Sequence, residues 1–150
     1  MQSQDLVEIA DRNSRARAYV MAAAGIVFLL LHVIFRSQLG MGPETAGHLT
    51  RRVMWVVNVV FLLLGLWTGG GILNNRQIRA LVNDEVSQSN YRTSVILGFW
   101  VAMVTALALY VFPALQRLTG PDVLYTVVTY SVSVAVLKFA YLEFRAHRDA

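Results

Sequence analysis

The chain has 150 residues, of which 56% are hydrophobic and 15% are charged, and its mean hydropathy is +0.51. Soluble domains carry about 25% charged residues, so the composition excludes a water-soluble domain and indicates one membrane domain. The net charge of +4 would suit nucleic acid, but the arginines stand at the ends of apolar segments, where membrane topology places them. We therefore expect the lipid bilayer as a partner and no nucleic acid. The sequence contains no cysteine, which excludes thiol catalysis, disulfides and Cys-ligated metal centres.

The first 17 residues are polar and mixed in charge. Within them, Leu6, Ile9 and Ala10 recur at helical spacing, which predicts a short amphipathic helix on the membrane surface. The apolar segments that follow are long enough to predict four membrane-spanning helices. These spans cover residues 19–35, 53–73, 93–115 and 123–141.

The polar stretch 74–92 connects the second and third predicted spans. Its apolar residues stand at spacings of three, one and four, so we expect a helical connector and not a loose loop. The short turn after the third span forces spans three and four into an antiparallel hairpin. Pro121 and Asp122 then predict a helix start, because proline is tolerated in the first turn and an acid favours it.

The distribution of lysine and arginine predicts the orientation. The two tails and the connector hold eight arginines, or nine cations with Lys138, whereas the other two loops hold four arginines. Positive residues accumulate on the cytoplasmic side, so both termini are expected there. The sequence thus predicts an all-α membrane protein, an up-down-up-down bundle of four helices, spanning the bacterial cytoplasmic (inner) membrane several times.

The membrane interior contains no carboxylate in the central region of any predicted span. A proton-coupled carrier needs an ionisable group there, and membranes tolerate such a group only for function. His32 is the sole histidine in a span, with Asn58 expected at a similar depth. Two interpretations stay open, a His32–Asn58 hydrogen bond between spans or a ligand or haem contact. A metal site of His32 with His48 has no supporting spacing, so we predict no metal and no cofactor.

The fourth span carries hydroxyl groups at spacings of three, one and three, which places them on one face. That face is either a polar pathway or a seam between helices, where Ser and Thr bond across helices or to their own backbone. Lys138 lies near the end of the same span. Its ammonium either reaches the headgroups or contacts an acid of a partner or an anionic lipid. The hydroxyl residues are Thr126, Thr129, Tyr130 and Ser133.

Small residues recur at four-residue spacing in the second and third spans. Gly65 and Gly69 form a GxxxG pattern, and Gly98 and Ala102 repeat it. Small side chains let two helix backbones approach closely, so these residues are candidates for helix packing within the bundle or in a homo-oligomer.

The acids of the connector, Asp84 and Glu85, have no basic partner within one helical turn, since Arg79 stands five residues before Asp84. They form either a solvated or internally paired face or a docking patch for another protein, to which Arg79 and Lys138 would contribute.

One resemblance to known proteins is visible in this region. Leu81-Val82-Asn83-Asp84-Glu85 followed by Gly98-Phe99-Trp100 resembles small uncharacterised four-helix bacterial inner-membrane proteins. The resemblance covers spans two and three with their connector. It implies membrane location and no particular activity.

These observations favour a small membrane accessory or interaction protein without enzymatic activity, which packs in a homo-oligomer or a larger membrane complex. A small oligomeric transporter or channel that uses the polar face of span four is the alternative. A membrane enzyme acting on lipid or isoprenoid ranks last, because the sequence offers no facing acid pair, metal cluster or nucleophile–base pair.

Overall fold

A computed structural model of the protein describes residues 2–38, 47–68, 85–112 and 118–148, with side chains for most of residues 15–34, 50–68, 87–112 and 118–148. The described residues form an all-helical structure. The helices are α1 (Gln2–Gln38), α2 (Gly47–Trp67), α3 (Glu85–Val111) and α4 (Gly120–Arg148).

Three of these helices contain stretches that are long and apolar enough to cross a membrane. The corresponding apolar stretch of α2, Arg52–Trp67, is shorter. Helix length and composition therefore indicate a multi-pass membrane protein. The three long stretches are Arg15–Ile34, Ser87–Val111 and Gly120–Ala146.

The helices differ in extent from the predicted elements. The polar N-terminal segment and the first predicted span form one continuous helix, α1, and residues 85–92 of the predicted connector are the first turns of α3. Helix α4 continues to Arg148 through most of the predicted tail. Residues 69–73 of the second predicted span and 74–84 of the connector lie outside the described residues.

Helix α4 is the centre of the bundle. It packs against each of the other three helices, and 44% of its apolar stretch is buried, compared with 17% for α3. Arg17 meets Glu143 near one end of α4, whereas His32 stacks on Tyr125 near the other end, so α1 and α4 are antiparallel. Helix α3 is also antiparallel to α4, since Asn90 bonds to Glu143 and, farther along α3, Gly98 lies against Ala135.

A reciprocal cap starts α4 and confirms the predicted helix start. The Asp122 carboxylate accepts hydrogen bonds from the Thr119 hydroxyl at 2.6 Å and from its backbone N–H at 3.3 Å. The Asp122 N–H donates back to the Thr119 hydroxyl oxygen at 3.4 Å. This exchange satisfies backbone donors that the first helical turn leaves open, as a capping box does.

The core consists of aliphatic and aromatic side chains from α1, α2 and α4. Large apolar side chains also cover the outside, among them Trp100 and Tyr110 on α3, which are mostly exposed. A surface of this kind suits lipid and not water. The core residues are Met21, Phe28, Val59, Leu62, Leu66, Val132, Ala135, Val136, Phe139 and Ala140.

Candidate functional site

A charged cluster joins three helices at one end of the bundle. The guanidinium of Arg17 on α1 forms a salt bridge with the carboxylate of Glu143 on α4, and each side chain is only 6% exposed. The same Nη2 atom of Arg17 donates to the hydroxyl of Ser87 on α3 at 3.3 Å. Asn90, one turn farther along α3, donates to Oε1 of Glu143 at 3.2 Å. We call Arg17, Ser87, Asn90 and Glu143 the charged cluster.

The charged cluster is internally neutral, since one guanidinium faces one carboxylate. The ring of Phe139 adds a cation–π contact, with its centre 5.6 Å from the guanidinium carbon of Arg17. Burying such a pair gains little over an apolar pair, but a buried charge that has lost its partner costs several kcal/mol. The cluster therefore makes the relative position of α1, α3 and α4 depend on four specific side chains.

Neither member of this ion pair was among the sequence-predicted site residues. Arg17 closes the polar N-terminal segment and Glu143 follows the last predicted span, so both stand beside other charged residues in the sequence. Helical spacing carries the missing signal. Arg17 lies four residues before Met21, and Glu143 lies four residues after Phe139, so each extends a buried stripe by one turn.

An aromatic cluster lies at the opposite end of the bundle. His32 is 3% exposed and stacks on Tyr125, with ring centres 4.9 Å apart, and it meets Tyr130 edge-on at 5.4 Å. Trp55 of α2 also packs against the ring of Tyr125, with ring centres 4.9 Å apart. Its indole N–H donates to the hydroxyl of Thr129 at 3.1 Å. We call His32, Trp55, Tyr125 and Tyr130 the aromatic cluster.

The predicted hydroxyl face of α4 is mostly turned inward. Thr126, Thr129 and Ser133 are buried, whereas Tyr130 is 40% exposed. The hydroxyls of Thr126 and Thr129 donate to the carbonyls of Asp122 and Tyr125, one turn back, at 2.8 and 2.7 Å. Among the described residues, the hydroxyl oxygen of Ser133 has no hydrogen-bond partner.

The predicted hydrogen bond between Asn58 and His32 does not appear among the described side chains. The amide nitrogen of Asn58 donates to the carbonyl of Met54 in its own helix at 2.8 Å. The ring of His32 is held by the aromatic cluster. Lys138 lies on α4, half-buried, with its ammonium 5.3 Å from the ring centre of Tyr141.

Two of the small residues lie where helices approach closely. A Cβ atom on Gly98 would stand 2.9 Å from the Cβ of Ala135 and 3.0 Å from the carbonyl oxygen of Ser131. At Gly65 the nearest atom would be the sulfur of Met21, at 3.3 Å. Ala102 is half-buried on α3.

Several of the predicted site residues lie wholly or partly outside the described part of the chain. Gly69, Arg79 and Asp84 lie outside the described residues, and Glu85 is placed only as the first residue of α3. Within the described part of the chain, no group of three or more His, Asp or Glu side chains is arranged to hold a metal ion. Comparisons with protein-family models, with curated proteins and with solved structures yielded no match to this chain.

Proposed function

We propose that this chain is a four-span membrane protein without enzymatic activity, which acts by packing against copies of itself or another membrane protein. Its termini face the cytoplasm, and a bacterial inner membrane is the location that the arginine distribution favours. The observation that carries the proposal is the closure of the interior, because the charged cluster and the threonine hydroxyls of α4 bond within the chain. What remains for contact with other molecules is the outer surface.

The length of α2 supports a fourth span. Its 21 residues extend about 31 Å at 1.5 Å per residue, which matches a hydrocarbon core of about 30 Å. Its second turn carries the exposed Arg52, whose long side chain can extend along the helix to the headgroups. Helix α2 also lies beside α1 and α4 between Trp55, which packs against Tyr125, and Gly65, which lies beside Met21.

Apolar packing separates the charged cluster from the aromatic cluster and weighs against a pathway through the bundle. Between Thr129 and Glu143, the side chains of Val136 and Phe139 are fully buried in the core. Met21 and Phe28 of α1 belong to the same buried core cluster. An ion or polar solute would have to displace these groups, and cores are packed too densely for that without rearrangement.

Cysteine labelling tests the topology, since the sequence contains no cysteine. Single variants Ser3→Cys, Gly120→Cys and Arg148→Cys would be exposed to a membrane-impermeant maleimide in spheroplasts. We expect only the cysteine at 120 to react before permeabilisation, because the ends of α4 lie on opposite sides. Gly120 has open space around it and Arg148 is exposed, so neither change disturbs packing. Reaction of positions 3 and 148 from opposite sides would show an odd number of spans and exclude α2 as a span.

Native mass spectrometry after gentle extraction from the membrane tests the interaction function. A stoichiometric second protein or a defined homo-oligomer is the expected result. A monomer that retains a small polar solute would contradict the proposal and favour transport.

The second candidate is a small oligomeric transporter or channel that uses the polar face of α4. The buried hydroxyl of Ser133, which has no hydrogen-bond partner among the described residues, is the observation in its favour. Thr129→Val and Ser133→Val would abolish ion flux in proteoliposomes if that face conducted. Flux that persists in both variants would exclude the face as a pathway.

A further inference from the structure

We propose that Lys138, Tyr141 and Arg145 form a binding site for the phosphate of an anionic phospholipid on the outer face of α4. We call these three residues the basic stripe. The inference rests on the proposed membrane crossing of α4, but not on the direction of that crossing or on the function of the protein.

The three residues share one face of the helix. Their spacings of three and four residues align them along α4. Tyr141 is 56% exposed, Arg145 is exposed and Lys138 is half-buried. Phe139 and Glu143, which lie between them in the sequence, are buried against Arg17. The basic stripe therefore points away from the bundle, toward the surrounding lipid.

The depth of the basic stripe matches the boundary between acyl chains and headgroups. The apolar stretch of α4 ends at Ala146, directly after Arg145, and Lys138 lies about 10 Å farther in along the axis. A lysine at that depth extends its ammonium along the helix toward the headgroups. The ring of Tyr141, 5.3 Å from the ammonium, lies on that course, and tyrosines are enriched at this level of a bilayer. A phosphate at this depth can accept hydrogen bonds from the ammonium of Lys138, the guanidinium of Arg145 and the phenol of Tyr141.

The two cations of the basic stripe, Lys138 and Arg145, favour an anionic lipid. Cations near a membrane surface each favour anionic lipid, by about fivefold in affinity. Two cations on the basic stripe thus predict a preference of roughly 25-fold over a zwitterionic lipid.

Lipid competition measures this preference. The full-length protein is reconstituted in nanodiscs of phosphatidylcholine and phosphatidylglycerol, and native mass spectrometry gives the ratio of the two lipids that remain bound. We expect Lys138→Gln to lower the phosphatidylglycerol ratio about fivefold, and Lys138→Gln with Arg145→Gln to lower it roughly 25-fold. Arg52→Gln, at an exposed arginine near the opposite end of the bundle, is the matched control and should leave the ratio unchanged.

Lys138 is the only lysine in the sequence, which allows a direct second measurement. An amine-acetylating reagent modifies its side chain and the N-terminal amine, so the second amine is an internal reference. Acetylation of Lys138 should slow when phosphatidylglycerol replaces part of the phosphatidylcholine. Inorganic phosphate added to phosphatidylcholine discs should not slow it, because free phosphate does not concentrate at that depth.

Each contrary result overturns the site. An unchanged lipid ratio in the double variant, or an equal fall with Arg52→Gln, would show general charge attraction and no site. Protection of Lys138 by inorganic phosphate alone would exclude the lipid as the occupant, and protection only in the presence of a co-purified protein would assign the stripe to that protein. Since the cysteine labelling is independent, a correct topology with an unchanged ratio would reject this site alone.

Discussion

Arg17 and Glu143 stand 126 residues apart in the sequence and form a buried ion pair between α1 and α4. Ser87 and Asn90 of α3 bond to the same two side chains, so three helices meet at one pair of opposite charges. A pair of this kind makes the position of each helix depend on the other two. The first prediction follows from that dependence.

Removal of one charge of this pair should destabilise the bundle more than removal of both. Arg17→Met or Glu143→Leu alone leaves one buried charge without its partner, for which we expect a loss of about 3–5 kcal/mol. The double variant replaces the pair by apolar groups of similar size and should lie within about 1 kcal/mol of the parent, or above it. Unfolding of the four proteins in one detergent gives the coupling energy. Arg148→Met, at an exposed arginine of α4, serves as the control.

If the two single variants prove additive, the cluster does not hold the helices together. In that case the salt bridge would contribute no more than a pair at the surface.

Gly98 should not accept a methyl group, whereas Gly65 should. At Gly98 the added Cβ would stand 2.9 Å from the Cβ of Ala135, and neither helix backbone can yield easily. Overpacking of this kind costs about 1–3 kcal/mol, which exceeds the gain of up to about 1 kcal/mol from replacing glycine in a helix. At Gly65 the contact is with the flexible side chain of Met21, so the helix gain should prevail. Thermal unfolding midpoints of Gly98→Ala and Gly65→Ala should therefore move in opposite directions.

Restoring space across the α3–α4 contact tests the cause. Ala135→Gly in the Gly98→Ala background should recover part of the loss, since the methyl group then moves from one helix to the other. The recovery stays partial because the carbonyl oxygen of Ser131 remains 3.0 Å away. No recovery at all would place the strain elsewhere.

The hydroxyl of Thr129 should matter for stability through Trp55. It accepts the indole N–H at 3.1 Å while donating to its own backbone. Thr129→Val keeps the shape but leaves the indole N–H without an acceptor, which costs about 1–3 kcal/mol in a buried position. Thr129→Ser keeps the hydroxyl and should lose less. Chemical unfolding distinguishes the two variants, and equal losses would show that the methyl group and not the hydrogen bond is responsible.

Ser133 should behave in the opposite way. Its hydroxyl is fully buried and has no hydrogen-bond partner among the described residues, so the desolvated oxygen destabilises the folded state. Ser133→Ala removes it with little change in volume, and we expect stability to rise by about 1 kcal/mol. Ser133→Ala should also leave the oligomeric state of the extracted protein unchanged. A loss of stability instead would reveal a bond that the hydroxyl makes in the membrane.

The number and order of the described helices could be predicted because long apolar runs mark membrane helices directly. The start of α4 could be predicted because Pro121 and Asp122 carry local chemistry that requires no partner. The continuity of the polar N-terminal segment with the first span could not be predicted, because polarity indicates where lipid begins and not where a helix ends. Residues 12–21 contain no glycine or proline, so the helix has no local reason to stop.

The candidate site was harder to predict because it depends on which face of each helix turns inward. Three arginines stand within six residues in α1, and their polarity does not show which of them is buried. Only Arg17 continues the stripe of Met21 and Phe28, and only comparison of two distant stripes pairs it with Glu143. Similarly, the large rings of Tyr125 and Tyr130 pack against His32, and the amide of Asn58 bonds to the backbone of its own helix.

The central position of α4 has a consequence for the biogenesis of the protein. Of the four described helices, the ribosome completes α4 last, yet the other three make most of their contacts with it. The earlier helices must therefore enter the bilayer before their main packing partner exists, and Arg17 has no carboxylate to pair with until Glu143 has been synthesised. Assembly of the bundle is then a post-insertion event, and a nascent chain that stalls before α4 exposes an unpaired guanidinium to membrane quality control.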